Sequence, residues 1–150
     1  MTENPRKLNV LFLCTGNSCR SQMAEGFAIA LKSDCIEAFS AGVSPCFVHK
    51  RAITVMAEVG IDISTHTSKH VDDLCGVEFD YVISLCDHAN ETCPRLPGKT
   101  KHIHHPFSDP SFLMGTEEII LNAFRKTRDE IRNYIATLPE ALTIEQEKND

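Results

Sequence analysis

The 150-residue chain has a formal net charge of −6, 42% hydrophobic residues, seven cysteines and no tryptophan. That length and apolar content suit one domain, residues 1–150, with a continuous core, so the cysteines are not needed as a disulfide scaffold. Without a secretion signal they point to reduced thiols in a cytoplasmic protein, and the acidic balance excludes a general nucleic-acid or membrane-surface binder.

The first predicted element is a strand over residues 7–13, a short apolar run that stops at the turn Thr15-Gly16-Asn17. Arg6, Lys7 and the following Cys14 imitate a lipoprotein signal. The run is too short for the ~7–15-residue apolar region of such a signal, and bulky Leu13 stands where a small residue would precede cleavage. No stretch reaches the ~18 apolar residues of a membrane span. From Ser21 the period becomes helical, with Met23, Phe27 and Leu31 on one face and Lys32 near the end. A second strand is expected over residues 36–40, halted by Ala41-Gly42. A second helix follows Pro45 through Val48, Ala52, Val55, Met56 and Val59, with Gly60 as its C-cap. Residues 80–85 form the clearest later strand, and residues 101–104 a weaker fourth. Ile120, Phe124, Thr127, Ile131, Ile135 and Leu138 then mark a long helix closed by Pro139. The polar residues 143–150 are expected to fray.

Strands alternating with helices imply an α/β fold of three layers, a four-stranded parallel sheet flanked by helices on both faces. Ligands bind such sheets at the carboxyl ends of the strands. Cys14 and Cys86 stand at two such ends and are expected to open onto one crevice.

The most informative stretch is Cys14-Thr15-Gly16-Asn17-Ser18-Cys19-Arg20-Ser21, between a strand end and a helix start. The backbone N–H groups of Thr15, Gly16, Asn17, Ser18, Cys19 and Arg20 can converge there on an oxyanion, reinforced by the helix dipole. The Arg20 guanidinium can grip two oxygens of a tetrahedral anion. The same field favours the thiolate of Cys14, and Ser21 is placed to donate a hydrogen bond to that sulfur.

This octet and its continuation Gln22-Met23-Ala24-Glu25-Gly26 resemble the phosphate-binding loop of the low-molecular-weight protein tyrosine phosphatase superfamily, in particular its thioredoxin-coupled arsenate reductase branch. Ser40-Ala41-Gly42, Gly60-Ile61-Asp62-Ile63-Ser64 and His66-Thr67-Ser68 extend the match. The resemblance implies a Rossmann-like sheet and, for that branch, a redox cycle. Arsenic(V) accepts two electrons, which two thiols supply by becoming a disulfide. The segment after the third strand, Cys86-Asp87-His88-Ala89-Asn90-Glu91-Thr92-Cys93-Pro94, resembles the branch's pair of resolving cysteines. The implied disulfides are Cys14–Cys86 and then Cys86–Cys93. If the segment is helical when reduced, its ends lie roughly 10 Å apart at ~1.5 Å per residue. A disulfide tolerates only about 4.4–6.8 Å between Cα atoms, so the segment must unwind. Asp87, Asn90 and Thr92 lower its helix propensity.

Asp109, in Phe107-Ser108-Asp109-Pro110, resembles the family's general acid, a carboxyl that like charge on the oxyanion keeps protonated. His105-Pro106 replaces the family's usual Trp-Gly pair, and Ser108 replaces the first of its two acids. Some relatives place a potassium ion near positions matching Asn17, Ser40 and Thr67. Lys69 stands here for the acidic residue of that site, so its ammonium is expected to substitute for the cation. No other cofactor is expected, and thioredoxin is the expected electron donor to a monomer. Cys35, Cys46 and Cys75 match nothing in the family pattern and read as packing residues. His66 and His70 have helical spacing, but without a Cys-x-x-Cys pair they do not define a zinc site. Two other readings share this loop: hydrolysis of a phosphomonoester, which needs no second thiol, and a sensor that binds without turnover.

Overall fold

The computed structural model describes residues 6–74, 76–92 and 99–149, so Cys75 and Cys93 lie outside the described residues. Its strands are β1 (Leu8–Cys14), β2 (Ile36–Gly42), β3 (Tyr81–Ser84) and β4 (Lys101–His104). Its helices are α1 (Arg20–Lys32), α2 (Lys50–Ala57), α3 (Asp87–Thr92), α4 (Glu117–Ala136) and α5 (Glu140–Asn149). Single 3-10 turns occur at Val71–Leu74 and Pro110–Phe112.

The sheet is wholly parallel, in the order β2-β1-β3-β4. Side chains along β1 alternate between two cores, as the pleat requires. Val10 and Phe12, with Tyr81 and Ile83, face Met23 and Phe27 of α1, Val55 and Met56 of α2, and Phe124 and Ile131 of α4. Leu11 and Leu13, with Val82, face Val71, Phe79, Cys86 and Ala89 on the opposite side. The central strand is therefore apolar on both faces, which is why its sequence reads as an unbroken run.

The predicted elements agree with these bounds to within a few residues, and Gly60 ends α2 as expected. At φ +82° it lets Ile61 N–H reach Met56 O and its own N–H reach Ala57 O, both at 3.0 Å. The carboxyl terminus differs from the expectation. Residues 143–149 belong to α5, a helix not expected after Pro139; Leu142 is fully buried in the main core and Glu145 accepts a hydrogen bond from Tyr134 Oη at 3.2 Å.

Candidate active site

Cys14 ends β1, buried to 3% exposure, with its Sγ 2.8 Å from Ser21 Oγ. Asn17 Nδ2 donates to the same hydroxyl at 2.9 Å, so the Ser21 hydrogen is free to point at the sulfur. The loop between them turns at Asn17, whose φ of 47° is uncommon for a residue other than glycine. The fully buried Asn17 side chain stabilises this turn. Its Oδ1 accepts Lys69 N–H at 2.9 Å, and its backbone oxygen accepts Gln22 Nε2 at 3.1 Å and Ser68 Oγ at 2.6 Å.

The loop carbonyls are also engaged. Thr15 O, Gly16 O and Ser18 O accept the N–H groups of Ser44, Cys46 and His49 at 2.8, 3.0 and 2.9 Å. With its carbonyls tied to the segment after β2, the loop can offer N–H groups to an anion without opposing them with oxygen. Cys19, the N-cap of α1, makes no side-chain cap bond. Gly42, the register partner of Cys14, makes room for the turn: a Cβ there would lie 2.5 Å from Thr15 O and 2.8 Å from Asn17 N.

Arg20 closes the site. It is 9% exposed, its Nη1 donates to Phe107 O at 2.9 Å, and its Nη2 contacts Asp109 Oδ2 at 3.2 Å. Asp109 Oδ1 accepts Ser111 N–H and Oγ at 2.9 and 2.6 Å, so the turn after the aspartate orients its carboxylate. These groups line a cavity of about 340 Å³ with Cys14, Thr15, Gly16, Ser18 and Cys19. Burial first, then the charges of Asp109 and Cys14, push the Cys19 thiol well above its usual range. Cys19 therefore remains a protonated thiol beside Cys14.

Three features of the cavity depart from the sequence expectations. Asn17 is not part of the cavity wall; its side chain supports the loop from behind. Cys46, expected as a packing residue, is exposed and lines the cavity, whereas Cys35 is half-buried as expected. Cys86 does not line it either. Its sulfur is buried in the second core, 3.3 Å from Thr15 Oγ1 and 3.4 Å from the donating Ala89 N–H. Thr15 thus touches the cavity on one side and Cys86 on the other.

Sequence reasoning missed Phe47, His49, Ser111 and Phe112, which complete the wall. Phe47 and Phe112 are 61% and 82% exposed, an aromatic rim around a polar floor. Burial, reinforced by Arg51, lowers the pKa of His49 and favours the neutral ring, with Asp109 opposing. The local signal for Phe47 and Phe112 is an aromatic residue beside a proline-containing turn, at Pro45 and Pro110.

Behind the loop lies a polar cluster. Ser40 Oγ donates to Glu25 Oε1 at 2.9 Å, His66 Nδ1 lies 3.0 Å from Gln22 Oε1, and Lys69 Nζ donates to Thr67 O at 3.0 Å. Thr67 O also accepts Gln22 Nε2 at 3.1 Å, so two side chains converge on it.

The chain matches the family described as low molecular weight phosphotyrosine protein phosphatase over residues 9–148. It is 43% identical over 131 residues to an arsenate reductase of Halalkalibacterium halodurans, covering 87% of this chain and 94% of that protein. Among solved structures it resembles an arsenate reductase in the phosphate binding state, with TM-score 0.67 and 36% identity over 87% of this chain and 95% of that one. It also resembles a thioredoxin-dependent arsenate reductase of Corynebacterium glutamicum, with TM-score 0.66 and 27% identity over 92% of this chain and 63% of that one. With its strand-to-helix loop, buried thiol and paired arginine, the chain belongs to the low molecular weight phosphotyrosine protein phosphatase family.

Proposed function

We propose that the protein reduces arsenate to arsenite, with Cys14 as nucleophile and Cys86 and Cys93 as successive resolving thiols. The observation that carries this reading is the placement of two sulfurs on either side of Thr15. Cys14 is held by Ser21 at the floor of an anion cradle, and Cys86 is bonded to Thr15 at the neighbouring strand end. A hydrolase has no use for the second.

Arsenate enters the cradle and takes over Arg20 from Asp109, and the released carboxyl serves as general acid in the first step. Cys14 thiolate forms a sulfur–arsenic bond while Asp109 gives its proton to the departing oxygen, which leaves as water. Cys86 thiolate then attacks the Cys14 sulfur. A disulfide forms, the sulfur–arsenic bond breaks, and its electron pair stays on arsenic, which leaves as arsenite. The Ala89 N–H, donating to Cys86 Sγ at 3.4 Å, holds the sulfur at the neighbouring strand end before this step. Cys93 next attacks Cys86, freeing Cys14 and moving the disulfide to Cys86–Cys93. The dithiol of thioredoxin reduces that bond and completes the cycle.

The enzyme is read as a single-domain cytoplasmic monomer with no tightly bound cofactor. No described helix is long and apolar enough to cross a membrane. Lys69 takes the place of a cation, so catalysis is independent of potassium. The aromatic rim of Phe47 and Phe112 favours a second reading, hydrolysis of an aryl phosphomonoester by the same cradle. The discriminating experiment supplies thioredoxin, thioredoxin reductase and NADPH. Arsenate-dependent NADPH oxidation supports reduction. Hydrolysis of an aryl phosphate with no arsenate-dependent oxidation would replace that reading with the second.

A further inference from the structure

Cys86 lies between two residues held by one imidazole. Ser84, at the end of β3, and His104, at the end of β4, are register partners, and Ser84 Oγ lies 2.8 Å from His104 Nδ1. The other ring nitrogen, Nε2, lies 2.7 Å from Asp87 Oδ1, at the first position of α3. The ring therefore spans the chain from two residues before Cys86 to one residue after it. Asp87 is 83% exposed at its side chain, so burial does not hold its carboxylate in place; the contact with His104 does.

The contact is available in both protonation states of the ring. When His104 is neutral, Ser84 donates to Nδ1 and the Nε2 hydrogen goes to Asp87. When it is charged, both nitrogens donate, and the Ser84 hydroxyl can turn its hydrogen to Ile103 O, 3.4 Å away. Upstream of Cys86 the backbone is already pinned. Leu85 N–H donates to Leu13 O at 2.8 Å, and Ser84 O and Leu85 O accept His105 N–H and Phe107 N–H at 2.9 and 3.0 Å. Downstream, the residues toward Cys93 must leave their helical arrangement during the relay, so Cys86 needs an anchor there that does not depend on the rest of α3.

We propose that His104 and Asp87 are positioning residues that clamp the downstream side of Cys86 to β4 and hold its sulfur for attack on Cys14. This rests on the relay described above. The clamp restricts the dihedrals of Cys86 before the reaction, and so raises the effective concentration of its thiol at the Cys14 sulfur.

The test uses the full chain carrying Cys93→Ser, so that the relay stops at Cys14–Cys86. The disulfide is equilibrated in glutathione redox buffers without arsenate, mapped by mass spectrometry, and compared with its rate of formation in a single arsenate turnover. Asp87→Ala and His104→Ala are expected to lower the effective concentration about tenfold, raising the potential of the pair by about 30 mV. Both are expected to slow the arsenate-driven step by the same factor. Asp87→Asn, whose amide oxygen still accepts from Nε2, is expected to retain the parent values. A potential unchanged by Asp87→Ala would overturn the proposal, as would Asp87→Asn behaving like Asp87→Ala. If the disulfide forms in glutathione but never with arsenate, the arsenate reading fails while the clamp stands. If it forms in neither, both fall.

Discussion

Replacing Gly42 by alanine is predicted to disable the oxyanion loop while leaving a folded protein. The new Cβ would lie 2.5 Å from Thr15 O, 2.8 Å from Asn17 N and 3.1 Å from Gly16 C, all backbone atoms of the cradle. None is the flexible tip of a side chain, so the loop itself, including cavity-lining Thr15 and Gly16, must retreat by about 1 Å, a displacement that typically costs ~10²-fold in rate. The loop cannot retreat freely, because Ser44 N–H holds Thr15 O at 2.8 Å and Lys69 N–H holds Asn17 Oδ1 at 2.9 Å. Strain of this kind costs about 1–3 kcal/mol of stability. Gly26→Ala is the control: its Cβ meets Ile63 Cγ2 at 2.9 Å and Met56 Cε at 3.1 Å, side-chain tips remote from the loop. The assay is kcat/KM for arsenate in the thioredoxin-coupled system, with urea melts on both variants. Gly42→Ala is expected to lose ~10²-fold in kcat/KM, and Gly26→Ala to change it by no more than about threefold. Wild-type kcat/KM in Gly42→Ala, or equal losses in the two variants, would show that Gly42 does not set the position of the loop.

Ser21→Ala removes the donor to Cys14 Sγ and leaves buried Asn17 Nδ2 without its acceptor. Alkylation of Cys14 by iodoacetamide at neutral pH is expected to slow about tenfold, the worth of one hydrogen bond to a charged group. Glu58 is held below its usual pKa by Arg125 first and Arg128 second. Its stabilisation is therefore fully present above the unfolded value near 4.5 and is lost as pH falls through the lower folded value. Because the group is partly solvated, Glu58→Gln is expected to cost only ~0.2–1 kcal/mol near pH 7 and to flatten the acid limb of a urea-melt series below pH 4.5. Titrating potassium against sodium at constant ionic strength is expected to leave kcat/KM unchanged. Lys69→Ala, which leaves Gln22 Nε2 as the donor to Thr67 O and removes the ammonium, is expected to introduce a potassium dependence.

The loop from Cys14 to Ser21 was legible in the sequence because it is local. Cys14, Arg20 and Ser21 sit in one strand-turn-helix unit, and the chemistry follows from their order along eight residues. The sheet was legible for a similar reason: β1 is buried on both faces and shows an unbroken apolar run. The far wall of the cavity was not. Cys46 and His49 reach it through backbone bonds from the segment after β2 to Gly16 and Ser18, contacts with no sequence signature. The final helix was missed because its support is tertiary. Leu142 is fully buried, but Glu145, the anchor to Tyr134 and His105, is a charged residue that reads as solvent-facing. Thr15 was assigned to the cradle alone, and its second contact, with Cys86, became visible only once β1 and β3 were paired.

The central claim is that arsenic takes its two electrons from Cys14 and Cys86 before Cys93 and thioredoxin restore the enzyme. It is tested most directly by mixing Cys93→Ser protein with excess arsenate, thioredoxin, thioredoxin reductase and NADPH, then counting arsenite formed per enzyme and mapping the disulfide. About one arsenite per enzyme molecule and an accumulating Cys14–Cys86 disulfide are expected. Steady turnover of the variant with thioredoxin, or arsenite released with Cys86 still a free thiol, would contradict it.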